Sequence, residues 1–158
     1  MFLKCYLEMA ADFEDVRDAM LGSPEVWLQG LVVEADHEGA CLLADVGLQE
    51  GRHEPHRAQL EVGAPQVGRR LVSLPIRLRR TGSERLFSTF DGSLDAAWLG
   101  RQRTQLALTV QYQLPLAEIE PPANRALLHR VAETMARGFL EHAARRLGER
   151  LGLAALRS

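Results

Sequence analysis

The chain has 158 residues, 46% of them apolar and 25% charged, so it can bury a substantial core and is too apolar for a disordered or low-complexity segment. Its formal net charge of −2 argues against a nucleic-acid partner. No apolar run approaches the roughly 20 residues of a bilayer span, and Glu8 and Asp12 follow closely on Met1-Phe2-Leu3-Lys4; neither integral membrane association nor a signal peptide is expected.

Two cysteines, Cys5 and Cys41, are too few for a disulfide framework or a cysteine-based metal site, and suit a cytoplasmic protein. Charge is split along the chain: residues 1–68 hold 4 basic and 13 acidic side chains, residues 69–158 hold 15 and 8. The split is expected to set opposite faces of one domain against each other. No repeat or linker is visible, so residues 1–158 read as a single domain.

Residues 2–9 alternate Leu3, Cys5, Leu7 and Met9 with Lys4, Tyr6 and Glu8, the period-two signature of a strand with one covered face. Asp12 is placed to cap a short helix carrying Phe13, Val16 and Met20, which Gly22 ends. Ser23-Pro24-Glu25 then starts a second short helix with Val26, Trp27 and Leu28, stopping near Gly30.

From Leu31 to Leu114 the pattern is β. Leu31 to Asp36 and Ala40 to Leu48 flank His37-Glu38-Gly39 as a hairpin. Further strands carry Ala58, Leu60 and Val62, then Leu74, Ile76 and Leu78, with Pro75 marking the latter as an edge or bulged strand. Leu86 to Leu99 reads as one long strand bent around Asp91-Gly92. Thr104 to Leu114 alternates most cleanly, with Leu106, Leu108, Val110, Tyr112 and Leu114 on one face, as in an antiparallel sheet with one wet face.

Pro121-Pro122 closes the β region, and an amphipathic helix is expected from about Ala123 to Leu151. Its apolar stripe comprises Leu128, Val131, Ala132, Met135, Ala136, Phe139 and Ala143. The fold class is therefore α+β: a seven-stranded antiparallel sheet with two short helices after strand 1 and one long C-terminal helix.

That order resembles the helix-grip, START-like superfamily, also called SRPBCC, which includes pollen-allergen-type proteins, polyketide cyclase/dehydrase-like enzymes and many uncharacterised bacterial proteins. The resemblance covers essentially the whole chain. It is carried by Ser23-Pro24-Glu25-Val26-Trp27, by Arg103-Thr104-Gln105-Leu106-Ala107-Leu108 leading to Tyr112, and by Leu127-Leu128-His129-Arg130-Val131-Ala132. It implies a curved sheet wrapped around the final helix, an apolar cavity between them and a hydrophobic small-molecule ligand. Trp27, Phe87, Phe90, Trp98, Tyr112, Met135, Phe139 and His142 are the candidate ligand-binding residues, each of them equally able to pack a solid core.

Among residues that can carry chemistry, His142 lies at the edge of the helix's covered face and can serve as a hydrogen-bonding group, a proton carrier or a packing histidine. Arg146, one turn later, can anchor an anion or reach solvent. His129 projects away from the centre of the stripe, His37 belongs to a turn, and His53-Glu54-Pro55-His56 reads as a solvated loop rather than a metal site. Asp91 and Asp95 are candidate rim carboxylates, although turn chemistry accounts equally for Asp91-Gly92-Ser93. Arg69, Arg70, Arg77, Arg79 and Arg80 form a basic cluster on an exposed sheet face, suited to internal ion pairs or to an acidic surface. Cys5 reads as a buried thiol.

No G-x-S-x-G elbow, P-loop, G-x-G-x-x-G or C-x-x-C occurs, so no catalytic residue, metal or cofactor is assigned. The expected function is binding of an apolar or amphipathic molecule, such as a lipid, sterol-like or polyketide-like compound, as carrier or sensor. The alternatives are a cyclase/dehydrase-type enzyme using His142, Tyr112 or an aspartate, and a protein-interaction module with a closed pocket. Edge strands allow a monomer or a homodimer.

Overall fold

The computed structural model describes residues 2–32, 57–81, 89–112 and 122–152. Strand β1 (Phe2–Met9) leads into helix α1 (Phe13–Leu21) and helix α2 (residues 24–32). Strands β2 (Arg57–Val62), β3 (Gln66–Val67), β4 (Leu71–Thr81), β5 (Thr89–Gly100) and β6 (Arg103–Tyr112) follow, and helix α3 (Pro122–Arg150) comes last. All pairings are antiparallel, in the order β1-β6-β5-β4-β2, with β3 also on β4. Six strands are thus described where the sequence suggests seven. Arg79, Arg80 and the remainder of the 31–48 hairpin beyond Val32 provide no described side chains for comparison.

The alternation in β6 becomes the floor of the core: Thr104, Leu106, Leu108, Val110 and Tyr112 are all buried. Opposite them α3 turns in Leu128, Val131, Ala132, Met135, Ala136, Phe139, Leu140, Ala143 and Leu147. The helix lies against β1 and β6, and α1 touches β5, β6 and α3. Each fully buried leucine of this layer contributes about 1.5–3 kcal/mol relative to exposure.

Local chemistry departs from the sequence reading at three places. Asp12 does precede α1, and its carbonyl accepts the Val16 N–H at 3.1 Å, but its side chain makes no capping bond. The carboxylate instead accepts the Gln102 backbone N–H at 2.8 Å, a long-range partner outcompeting the local one. Helix α2 opens as expected, with Val26 and Trp27 N–H groups donating to the Ser23 carbonyl, but it runs past Gly30 to residue 32. Leu31 and Val32 are therefore helical and buried; tertiary packing overrides the β preference of that apolar pair.

Pro75 lies not at an edge but within β4, between β5 and β2. Its carbonyl accepts the Gly63 N–H at 2.8 Å, and the N and C=O of one strand residue point the same way. The missing N–H therefore faces the interval between the Val62–Ile76 and Gln66–Ser73 pairs, where β2 has ended and β3 has not begun. In β5 the pairing register runs unbroken through Asp91-Gly92, which concerns the ladder and not the expected bend, and a register shift falls between Trp98 and Gly100.

The expected attraction between the two halves of the chain is visible in Glu8, whose carboxylate takes the Arg103 Nε at 2.5 Å; Arg150 donates to the neutral Gly22 backbone carbonyl at 2.5 Å. Among the described residues, no helix is long and apolar enough to cross a membrane.

Candidate ligand-binding cavity

Between the sheet and α3 lies a cavity of about 70 Å³. Its sheet wall comes from Leu60 of β2, Ile76 and Leu78 of β4, Phe90 and Gly92 of β5, and Leu108 and Val110 of β6. Val32 of α2 borders it, and Met135, Ala136 and Phe139 of α3 form the opposite wall. The strands contribute alternate residues because only one face of each is turned to the helix. Met135, Ala136 and Phe139 come together because positions three and four apart share a helix face.

Asp91 also borders the cavity, but its carboxylate takes the Arg77 Nε at 2.6 Å, with both side chains half-exposed. Arg77 and Asp91 are direct cross-strand partners, so one arginine of the expected cluster is committed to an internal pair. Asp95 alternates with buried Leu94 and Ala96 on the same strand, which places it on the sheet's other face, away from the helix.

Next to Phe90 but outside the cavity lining, Tyr112 Oη and His129 Nδ1 form a hydrogen bond between β6 and α3. Tyr112 is only 1% exposed, and its ring centroid lies 5.9 Å from that of Phe90, its cross-strand partner. The Tyr112 and His129 rings are stacked, with centroids 6.1 Å apart. Burial pushes the Tyr112 phenol above its ordinary range, with the Glu133 carboxylate adding to the effect. The phenol therefore keeps its proton at neutral pH. On β1, burial likewise pushes the half-buried Cys5 thiol up; Arg137 opposes this and Glu133 reinforces it.

Of the candidate residues, Phe90, Met135 and Phe139 stand at the cavity wall, and Tyr112 stands behind Phe90. Trp27 packs in the core with its indole Nε1 donating to the Met20 carbonyl at 3.3 Å. Trp98 is 42% exposed and carries the Arg70 guanidinium 4.2 Å above its ring; it belongs to a groove with Asp12, Phe13 and Arg101, not to the cavity lining. His142 is half-buried and outside the lining. Phe87, Cys41, His37, His53 and His56 lie outside the described residues. The sequence reading missed His129: its partner comes from the sheet, and helical periodicity contains no signal for that.

With this geometry in view, the fold can be compared with solved structures. A conserved protein from Geobacillus kaustophilus matches at TM-score 0.55 and 12% identity, covering 94% of this chain and 96% of that one. An aromatase/cyclase from a Streptomyces species aligns over 98% of both chains at TM-score 0.48 and 16% identity. A Thermus thermophilus protein aligns over 98% of this chain and 100% of its own at TM-score 0.46 and 17% identity. No family model and no curated protein sequence matches the chain. The architecture is an antiparallel sheet gripping a long C-terminal helix, the helix-grip fold.

Proposed function

We propose that the protein binds an apolar or amphipathic small molecule between the sheet and α3, as a carrier or sensor. The observation that supports this reading is a cavity walled by Leu60, Ile76, Phe90, Val110, Met135 and Phe139 from facing elements. Displacing water from such a surface contributes about 25 cal/mol per Å2. The cavity of about 70 Å³ is well below the roughly 300–1,000 Å3 of drug-sized sites. A lipid-like, sterol-like or polyketide-like ligand therefore requires Phe90, Met135 or Phe139 to change rotamer; methionine's unbranched chain makes it the easiest to move.

A second reading, an enzyme of the cyclase/dehydrase type, is favoured by the Tyr112–His129 pair, because a phenol hydrogen-bonded to an imidazole can hand on a proton. Native mass spectrometry of the purified protein tests the binding reading: a retained apolar mass supports it. Saturable uptake of an apolar fluorophore, weakened by Met135→Trp, supports it further. Absence of uptake of any apolar probe contradicts it and leaves an interaction module with a closed pocket.

A further inference from the structure

We infer that the Tyr112–His129 pair, just past Phe90 of the cavity wall, is the polar pole of the binding site, selecting ligands that carry a hydroxyl or carbonyl oxygen at one end of an otherwise apolar body. The inference rests on the binding reading above and adds the chemical class of its ligand.

Two rows of side chains lead to this pair. On β6 the inward positions run Leu108, Val110, Tyr112, the first two of which line the cavity. On α3, Phe139, Ala136 and Met135 line it, and Ala132 and His129 continue the same face toward the helix start. Both rows end where Tyr112 and His129 join. Phe90 belongs to both environments, lining the cavity and packing against the Tyr112 ring.

The lining itself orients nothing. Its side chains are aliphatic or aromatic apart from Asp91, whose carboxylate is held by Arg77. Apolar walls supply affinity, and a few placed polar groups supply orientation. Tyrosine and histidine suit this role because each both donates and accepts. With the phenol donating to Nδ1, the imidazole carries its proton on Nε2. With Nδ1–H donating to the phenol oxygen, the phenol proton turns elsewhere. Once Phe90, which packs on the Tyr112 ring, turns aside, the pair meets a ligand oxygen whether that oxygen donates or accepts.

Toluene and p-cresol, which differ by one hydroxyl, test the inference by calorimetry or ligand-observed NMR. Without a polar partner the hydroxyl is penalised by desolvation. Wild-type protein is expected to prefer p-cresol, and Tyr112→Phe and His129→Leu to reduce that preference about tenfold with toluene affinity unchanged. His129→Asn, whose amide can reach the Nδ1 position, is expected to restore part of it and separates recognition from a folding defect. A preference that survives both substitutions, or an equal loss for both probes, overturns the inference. If wild type binds toluene but shows no preference for p-cresol, the inference alone fails; if it binds neither, the binding reading fails with it.

Discussion

Gly92 and Thr109 approach so closely across the β5–β6 pairing that a Cβ on Gly92 would lie 1.8 Å from the Thr109 carbonyl oxygen and 3.1 Å from the Val110 Cα. Those atoms are backbone, so they cannot move aside as a flexible side-chain end can. Gly92 and Val110 both line the cavity, and the close approach fixes the spacing of its floor. Gly92→Ala is expected to destabilise the protein by at least about 1–3 kcal/mol, read as a lower urea midpoint. An unchanged midpoint contradicts the close approach.

The bond from the Gln102 N–H to the Asp12 carboxylate ties the β5–β6 turn to the start of α1, and Gln102 adopts a left-handed φ of 55°. Asp12→Ala is expected to cost about 1 kcal/mol. Gln102→Gly removes the steric penalty of that φ while adding unfolded-state entropy, for a net gain under about 1 kcal/mol. Thermal unfolding of the two variants should shift in opposite directions.

The Arg103 guanidinium bonded to Glu8 holds that carboxyl below its ordinary range. A carboxyl lowered by folding contributes stability above its unfolded pKa, and that contribution is lost as pH falls through the folded value. The pair is solvent-exposed, so salt should weaken it. NMR titration of the Glu8 carboxyl should show its midpoint rise in Arg103→Gln; an unchanged midpoint contradicts the pairing.

Tyr112 gives the opposite limb. Burial raises its pKa first, and Glu133 next, so the folded state resists ionisation that the unfolded chain accepts near pH 10. Stability associated with this group is full below that value and declines as pH rises toward the folded pKa. Tyr112→Phe should flatten the alkaline limb of urea stability measured from pH 8 to 11; an equally steep limb in the variant contradicts this assignment.

How much of this was legible depended on whether the cause was local. The inward row of β6 and the bounds of α3 followed from periodicities of two and 3.6, because burial of one face imposes them. Leu31 and Val32 misled because a buried apolar pair looks alike in helix and strand. Trp98 has the inward parity of Leu94 and Ala96 but lies beyond the covered part of the sheet, where Arg70 stacks on it. The Tyr112–His129 bond joins residues whose spacing fits no single element, so only the packing of α3 on β6 could reveal it.

Entry of an apolar ligand between the sheet and α3 is tested most directly by methyl NMR. Titration with toluene should shift the methyl resonances of Ile76, Leu108, Val110 and Met135 together and saturably, leaving Val67 and Leu99, which are exposed at 56% and 38%, in place. Shifts confined to those exposed residues, or no saturable shift at the four cavity positions, would contradict it.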